Sequence, residues 1–168
     1  MAREIGYPLL CMDEIKESLA DNIGPAAAEM NEVLGEAAVA QILAVAGELL
    51  RAGQSVVIEG FFQSDRYSES IGELAAEANA VLVHIRADDA VLKHRYEHRA
   101  LQSERHWVHG DREKLGSLKP ELPAYMAEPL HLKLPTIMID TSHNALDVPG
   151  LAQRIRETLR QAEQDVPA

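Results

Sequence analysis

Four short apolar runs punctuate the chain, at Pro8–Met12, Ser55–Phe62, Ala80–Ala87 and Thr136–Thr141. Three of them, Val56-Val57-Ile58, Val81-Leu82-Val83 and Ile137-Met138-Ile139, hold consecutive rather than alternating apolar residues. A strand with one wet face alternates, whereas a strand covered on both faces does not. The runs therefore predict a parallel sheet sandwiched between helices. The segments between them carry helical periodicity and helical punctuation. Asp13 is placed to cap a helix over Glu14–Asn22, and the Ala- and Leu-rich stretch Glu36–Ala52 is followed by Gly53 as a C-cap. Ser64 or Asp65 opens a helix to about Asn79, and Asp88 or Asp89 one to about Ser103. Asp147 precedes a last helix over Pro149–Gln164, with Pro149 in its first turn. Strands alternating with helices predict an α/β domain with right-handed crossovers. Only Arg105–Pro135 lacks both periods over a long stretch, which is the pattern of a lid or binding loop.

A length of 168 residues suits one domain, and an apolar content of 46% excludes wholesale disorder. Charge changes the picture more. Sixteen Lys and Arg against twenty-seven Asp and Glu give a net charge of −11. Such a surface repels phosphate backbones and anionic headgroups, so neither nucleic acid nor a membrane is the expected partner. Cys11 is the only cysteine, which excludes an intramolecular disulfide and a thiolate metal cluster and points to a reducing, cytoplasmic setting. The first six residues hold no apolar signal core. The most apolar stretch, Ala37–Leu50, is interrupted by Gln41 and Glu48 and is too short to span a bilayer.

Three segments carry a family likeness. Leu9-Leu10-Cys11-Met12-Asp13-Glu14-Ile15-Lys16 is a strand ending in an acidic pair that opens a helix. Val56-Val57-Ile58-Glu59-Gly60-Phe61-Phe62 is a strand ending in a carboxylate and a turn. Arg95 and Arg99 lead into Glu104-Arg105-His106-Trp107-Val108-His109-Gly110-Asp111. In this order they resemble the small P-loop kinases and ATP-binding proteins related to chloramphenicol phosphotransferase, zeta toxin and gluconate kinase. The last segment is similar to that family's Arg-His-Pro-Gly-His lid pattern, with Trp107-Val108 in place of Pro-Gly. The resemblance implies a three-layer P-loop NTPase-like parallel sheet, a lid over about 104–135, and an ATP- and Mg2+-dependent phosphotransferase acting on a small hydroxylated molecule. One family element is missing: no G-x-x-x-x-G-K-[ST] loop occurs, nor any Gly-Lys pair. Met1–Gly6 looks like the end of the helix that follows that loop, which would put the first strand and the loop upstream of Met1. In the family this strand is central, between the strands that are here Ser55–Phe62 and Ala80–Ala87. Without it these two strands pair directly, another chain fills the slot by self-association, or the chain is poorly stable.

The residues with candidate chemistry each have a plainer reading. Asp13, at the carboxyl end of a strand, is placed to orient or deprotonate a substrate hydroxyl, or simply to cap its helix. Glu59 is placed to meet substrate and assist magnesium, or to form a structural salt bridge. Arg66 contacts an anionic substrate or is a solvated helix-face arginine. Arg95 and Arg99 share a helix face and, with Arg105, form a guanidinium set able to clamp triphosphate oxygens; the alternative is exposed ion pairs with Glu97 and Glu104. In the family the position of Asp140 and Thr141 contacts the nucleotide base, though a helix-entry turn explains them equally. His94, His98, His106 and His109 lack the glutamate of a His-Glu-x-x-His zinc helix. Trp107 either stacks on adenine or packs the lid. Against the kinase stands a non-catalytic remnant or binding module of the same fold with little ATP affinity. The region that would choose a substrate, Asn22–Gly35 with parts of the lid, carries no readable code.

Overall fold

A computed structural model of the chain describes residues 1–102, 105–115 and 128–164. Its elements, in chain order, are α1 (Ala2–Ile5), β1 (Leu9–Cys11), α2 (Met12–Ile23), a 3-10 stretch (Pro25–Met30), α3 (Asn31–Arg51), β2 (Val57–Glu59) and α4 (Ser64–Ala75). Then come β3 (Leu82–Arg86), α5 (Asp89–Ala100), a 3-10 turn (Trp107–His109), α6 (Asp111–Lys114), β4 (Thr136–Asp140) and α7 (Val148–Gln164). All four expected strands are present and shorter than their apolar runs. Ser103, Glu104 and residues 116–127 of the expected lid lie outside the described residues.

The strands do not join into one sheet. β1 pairs with β2 in parallel, Leu9 opposite Val57 and Cys11 opposite Glu59. β3 pairs with β4 in parallel, Leu82 opposite Thr136 and Arg86 opposite Asp140. β2 and β3 do not pair with each other. Between them lies a cavity of about 1140 Å³, walled by Val57, Ile58, Leu82, Val83 and Ile85. Direct pairing of these two strands, one outcome expected for a chain without a central strand, is thereby excluded.

Each half has its own core. On one side Ala20, Ala27, Leu34 and Val108 pack together, joining α2, α3 and the 3-10 turn at 107–109. On the other, Ile137, Leu151 and Ile155 join β4 to α7, with Met1, Ile5 and Val83 against them. Helix α3 buries Leu34, Ala38, Val39, Ile42 and Ala46, the three-to-four spacing of a face turned to a core. It begins five residues before the expected Glu36, because the 3-10 stretch from Pro25 runs directly into it. The resulting helical run, Pro25–Arg51, is long and apolar enough to cross a membrane by length and composition, which Ala37–Leu50 alone is not.

Helix starts also differ from expectation. α2 starts at Met12, its N-cap is Cys11, and no side chain caps it. Asp13 is thus not the cap but a first-turn residue, with Glu14, where carboxylates complement the positive end of the helix dipole. The N-cap position of α4 is Gln63 rather than Ser64 or Asp65, with no side-chain capping bond, and the helix ends at Ala75. Asp147 does meet the start of α7, its Oδ1 accepting from Gly150 N–H at 3.1 Å. Gly53 fulfils its role after α3, with φ +72 and its N–H on Leu50 O at 2.8 Å.

Candidate functional site

The carboxyl ends of β1 and β2 lie side by side, because Cys11 is in register with Glu59. That register sets Glu59 beside the turn into α2, where Asp13 stands two residues on. Gly60 makes the approach possible: a Cβ there would sit 2.8 Å from Met12 Cβ, closer than carbon atoms pack. The Cys11 thiol donates to Glu59 Oε2 at 2.8 Å. Burial, then the hydrogen bond to Glu59, push this thiol up to about 11, so it stays protonated. Glu59 itself is exposed, and its partner is a thiol rather than the expected alternative of a salt bridge.

Asp13 meets the lid-region segment 105–111. Arg105 Nη1 donates to Asp13 Oδ2 at 3.2 Å, and Arg105 Nε to Asp111 Oδ2 at 2.7 Å. Arg99 Nε lies 3.6 Å from the same Asp111 oxygen. His109 Nε2 bonds Glu17 Oε1 at 2.7 Å and stands 4.0 Å from Asp13 Oδ2. His106 Nε2 bonds Asp21 Oδ1 at 3.0 Å. Asp13, Glu17 and Asp21 are spaced four apart along α2, so three carboxylates on one helix face receive Arg105, His109 and His106 in turn. Beneath this ladder Lys16 is buried, its Nζ donating to Asn31 Oδ1 at 2.9 Å, while Asn31 Nδ2 donates to Val108 O at 2.5 Å.

Burial shapes the charges here. Burial is the largest influence on Asp111 and pushes its carboxyl up, but the hydrogen bond and charge of Arg105, with Arg99 behind, leave it below the ordinary value. His109 is held below its ordinary value, chiefly by burial and against the pull of Glu17. Lys16 is likewise lowered, first by burial, although Asp13 opposes this.

The expected residues therefore separate into three groups. Asp13, Arg105 and Arg99 come together through Asp111. Arg95 turns instead to the end of β4, its guanidinium donating to Thr141 Oγ1 at 2.9 Å and Thr141 O at 2.6 Å. Asp140 is in the same place, 3.1 Å from Arg86 and accepting from Ser142. Arg66 is elsewhere, paired with Glu36 and lying 3.7 Å from Glu32 of α3, so the plainer reading describes its surroundings. Glu97 pairs with Lys93 at 4.0 Å rather than with an arginine, and Glu104 lies outside the described residues. Trp107 is 46% exposed and tilted against His106. Among the described residues no group of three or more His, Cys, Asp or Glu is arranged to hold a metal ion. Three residues of the cluster, Lys16, Glu17 and Asp111, were not singled out from the sequence. The four-residue acidic spacing on α2 facing a basic loop was the signal that could have found Glu17.

No protein-family profile matches the chain, and no curated protein does. Among solved structures, the chain resembles a candidate kinase from Chloroflexus aurantiacus at 27% identity and a TM-score of 0.73, over 94% of this chain and 86% of that one. The chain thus has a kinase-like mixed α/β fold built on small parallel sheets.

Proposed function

We propose that the protein is an ATP-dependent phosphotransferase of the P-loop kinase kind, acting on a small hydroxylated molecule, and that Asp13 is the residue that orients or deprotonates the accepting hydroxyl. The observation that carries this reading is Asp13 at the carboxyl end of a parallel strand, with Arg105 of the lid region on its carboxylate at 3.2 Å. Open α/β sheets bind ligands at that end of their strands. The guanidinium fixes the direction of the carboxylate, as a hydroxyl-orienting residue requires. Glu59, exposed beside it, fits a magnesium ion, which takes one or two carboxylates and fills its other positions with water and phosphate oxygens. Bound there with ATP, the ion would supply charge neutralisation on the phosphates.

The arginines divide the work unevenly. Arg105 already faces Asp13 and Asp111, so using it on a phosphate exchanges one anionic partner for another. Arg99, with 49% of its side chain exposed, is the freer of the two to reach a phosphate oxygen. Arg95, Asp140 and Thr141 form a separate corner that suits a nucleotide base. Holding the phosphates still requires a loop of backbone amides, which the resemblance puts upstream of Met1. For residues 1–168 alone the reading therefore expects ATP affinity weaker than millimolar, and micromolar binding in calorimetry would contradict it.

The test of catalysis uses the natural protein with whatever precedes Met1. Asp13→Asn should lower the rate of phosphate transfer by about 10²–10⁴-fold with the affinity for ATP unchanged. A variant that keeps full turnover removes Asp13 from the mechanism. A natural protein that neither binds nor hydrolyses ATP favours the second reading, a non-catalytic relative of the fold, for which the ion-paired state of Arg105 already speaks.

A further inference from the structure

Three backbone carbonyls of the segment 105–111 are met by side chains rather than by a ladder. Val108 O accepts from Asn31 Nδ2 at 2.5 Å, His109 O from Lys114 Nζ at 2.9 Å, and Asp111 O from the Tyr96 hydroxyl at 3.5 Å. Of these bonds only the first continues to the helix that carries Asp13, because Asn31 Oδ1 accepts from Lys16 Nζ at 2.9 Å. The bridge Lys16–Asn31–Val108 thus joins α2, the start of α3 and the segment that presents Arg105 and His109. Asn31 also follows directly on the 3-10 stretch Pro25–Met30, so the bridge reaches the region expected to choose the substrate.

The residue types suit this task more closely than packing requires. An ammonium group only donates, and a peptide carbonyl only accepts. A side chain placed between them must offer one acceptor and one donor, which asparagine does in a single orientation of its amide. Lys16 is only 7% exposed. Burying an ammonium is costly, and a methionine would fill much the same space without that cost. Asp13 and Asp111 face Lys16 with compensating charge, Arg105 and Lys114 with opposing charge. The amine therefore stays at the centre of the polar cluster while its proton-donating end is spent on Asn31. Val108 is then fixed twice, its side chain in the core beside Ala20, Ala27 and Leu34 and its carbonyl on Asn31. With Val108 fixed, Arg105 three residues before it falls on Asp13, and His109 immediately after it falls on Glu17.

We propose that Lys16 and Asn31 are positioning residues, which lock the segment 105–111 as a fixed wall of the candidate site and so set Arg105 on Asp13. The inference rests on the reading of Asp13 and Arg105 as site residues, and its test has one arm that does not depend on catalysis. Both arms use the protein of the Asp13→Asn assay. Asn31→Asp keeps an acceptor for Lys16 but sets another acceptor against Val108 O. The amides of His109 and Gly110, which donate to His106 O and Trp107 O, should then exchange with water about tenfold faster, roughly the worth of one hydrogen bond. The amide of Ile42, on the buried face of α3, should keep its parent rate. Lys16→Met leaves the Asn31 amide without the partner that orients it and should shift the same two amides in the same direction. It carries the test if Asn31→Asp does not fold. In the catalytic arm, turnover of Asn31→Asp at saturating substrates should fall about 10–100-fold, because Arg105 no longer holds Asp13 in place. Parent exchange rates at His109 and Gly110 in the folded variants overturn the proposal. Equal acceleration at Ile42 also overturns it, since that marks a loss of overall stability. Faster local exchange with full turnover overturns the positioning role. A parent protein without phosphate transfer removes the kinase reading, and the exchange rates then decide the lock by themselves.

Discussion

Replacing Asp111 tests whether the polar cluster at the strand ends holds the lid segment in place. Its side chain is 8% exposed, and Oδ2 takes Arg105 Nε–H at 2.7 Å. Removing one partner of a buried ion pair costs about 3–5 kcal/mol, because the other charge is left without compensation. Two observations reduce that figure. Arg105 is 18% exposed and keeps Asp13 at 3.2 Å and Glu17 at 4.0 Å. Arg99 is half exposed, so water replaces most of what it loses. Asp111→Ala should therefore destabilise by about 2–3 kcal/mol, and Asp111→Asn, which keeps an acceptor for Arg105 Nε–H, by about 1 kcal/mol. In a chain of this size the alanine variant should melt about 4–12 °C lower. Urea unfolding followed by circular dichroism, repeated at high salt, measures this directly. Salt should leave the difference largely intact, since a buried pair is poorly screened. The dependence on pH has a fixed sign. The folded carboxyl lies below the ordinary 3.8, so Asp111 contributes its stability above that pH and loses it as acid protonates the folded form. The parent and alanine curves should converge only in strong acid. An alanine variant within 0.5 kcal/mol of the parent would refute the role assigned to this carboxylate, and an asparagine variant as damaging as alanine would refute the share assigned to its hydrogen-bond acceptor.

His109 offers a second pH test. Burial holds it below the ordinary 6.5, against Glu17 and Asp13, which raise it, and with Arg105 and Lys16, which lower it further. A depressed histidine favours the fold while neutral, so its contribution is complete above pH 6.5 and is lost as pH falls through the folded value. The parent should lose more stability than His109→Gln between pH 7 and 5, and parallel profiles would contradict the assignment. At Gly60 an alanine Cβ would meet Met12 Cβ at 2.8 Å and its sulfur at 3.2 Å. Gly60→Ala should destabilise by about 1–3 kcal/mol as the start of α2 shifts away from β2, read by thermal melting. An unchanged melting temperature would show that this approach is not tight.

The strands were legible as short apolar runs, three of them uninterrupted, and all four runs became parallel strands. Their ends were not legible, because a ladder is counted only where a partner lies alongside. Val56 and Gly60 flank β2 without entering the ladder. Arg95 and Arg99 were seen to share a helix face, but spacing could not show that one turns to Thr141 and the other to Asp111. Asp13 was recognised at its strand end; that its carboxylate would meet a residue 92 positions away follows from the fold and from no local period. His109 was dismissed as a metal ligand, and its actual partner, Glu17, is equally distant in the chain.

The polar cluster also explains how two half-sheets with separate cores keep one relative placement. Arg99 is carried by α5, which follows β3, whereas Asp13 and Glu17 are carried by α2, which follows β1. Asp111 and Arg105 stand between them, so the chain Arg99–Asp111–Arg105–Asp13 crosses from one half to the other at the rim. On the α2 side the same segment is anchored by apolar packing, Val108 lying in the core with Ala20 and Leu34. This clasp acts alongside the packing of α1 on α7 and of α3 on α4. Because Arg105 bridges Asp111 and Asp13, the losses caused by Asp111→Ala and Asp13→Asn should couple in a double-mutant cycle by about 0.5–3 kcal/mol. Additive losses would mean that Asp111 stabilises only its own segment and that the halves are held together by other contacts.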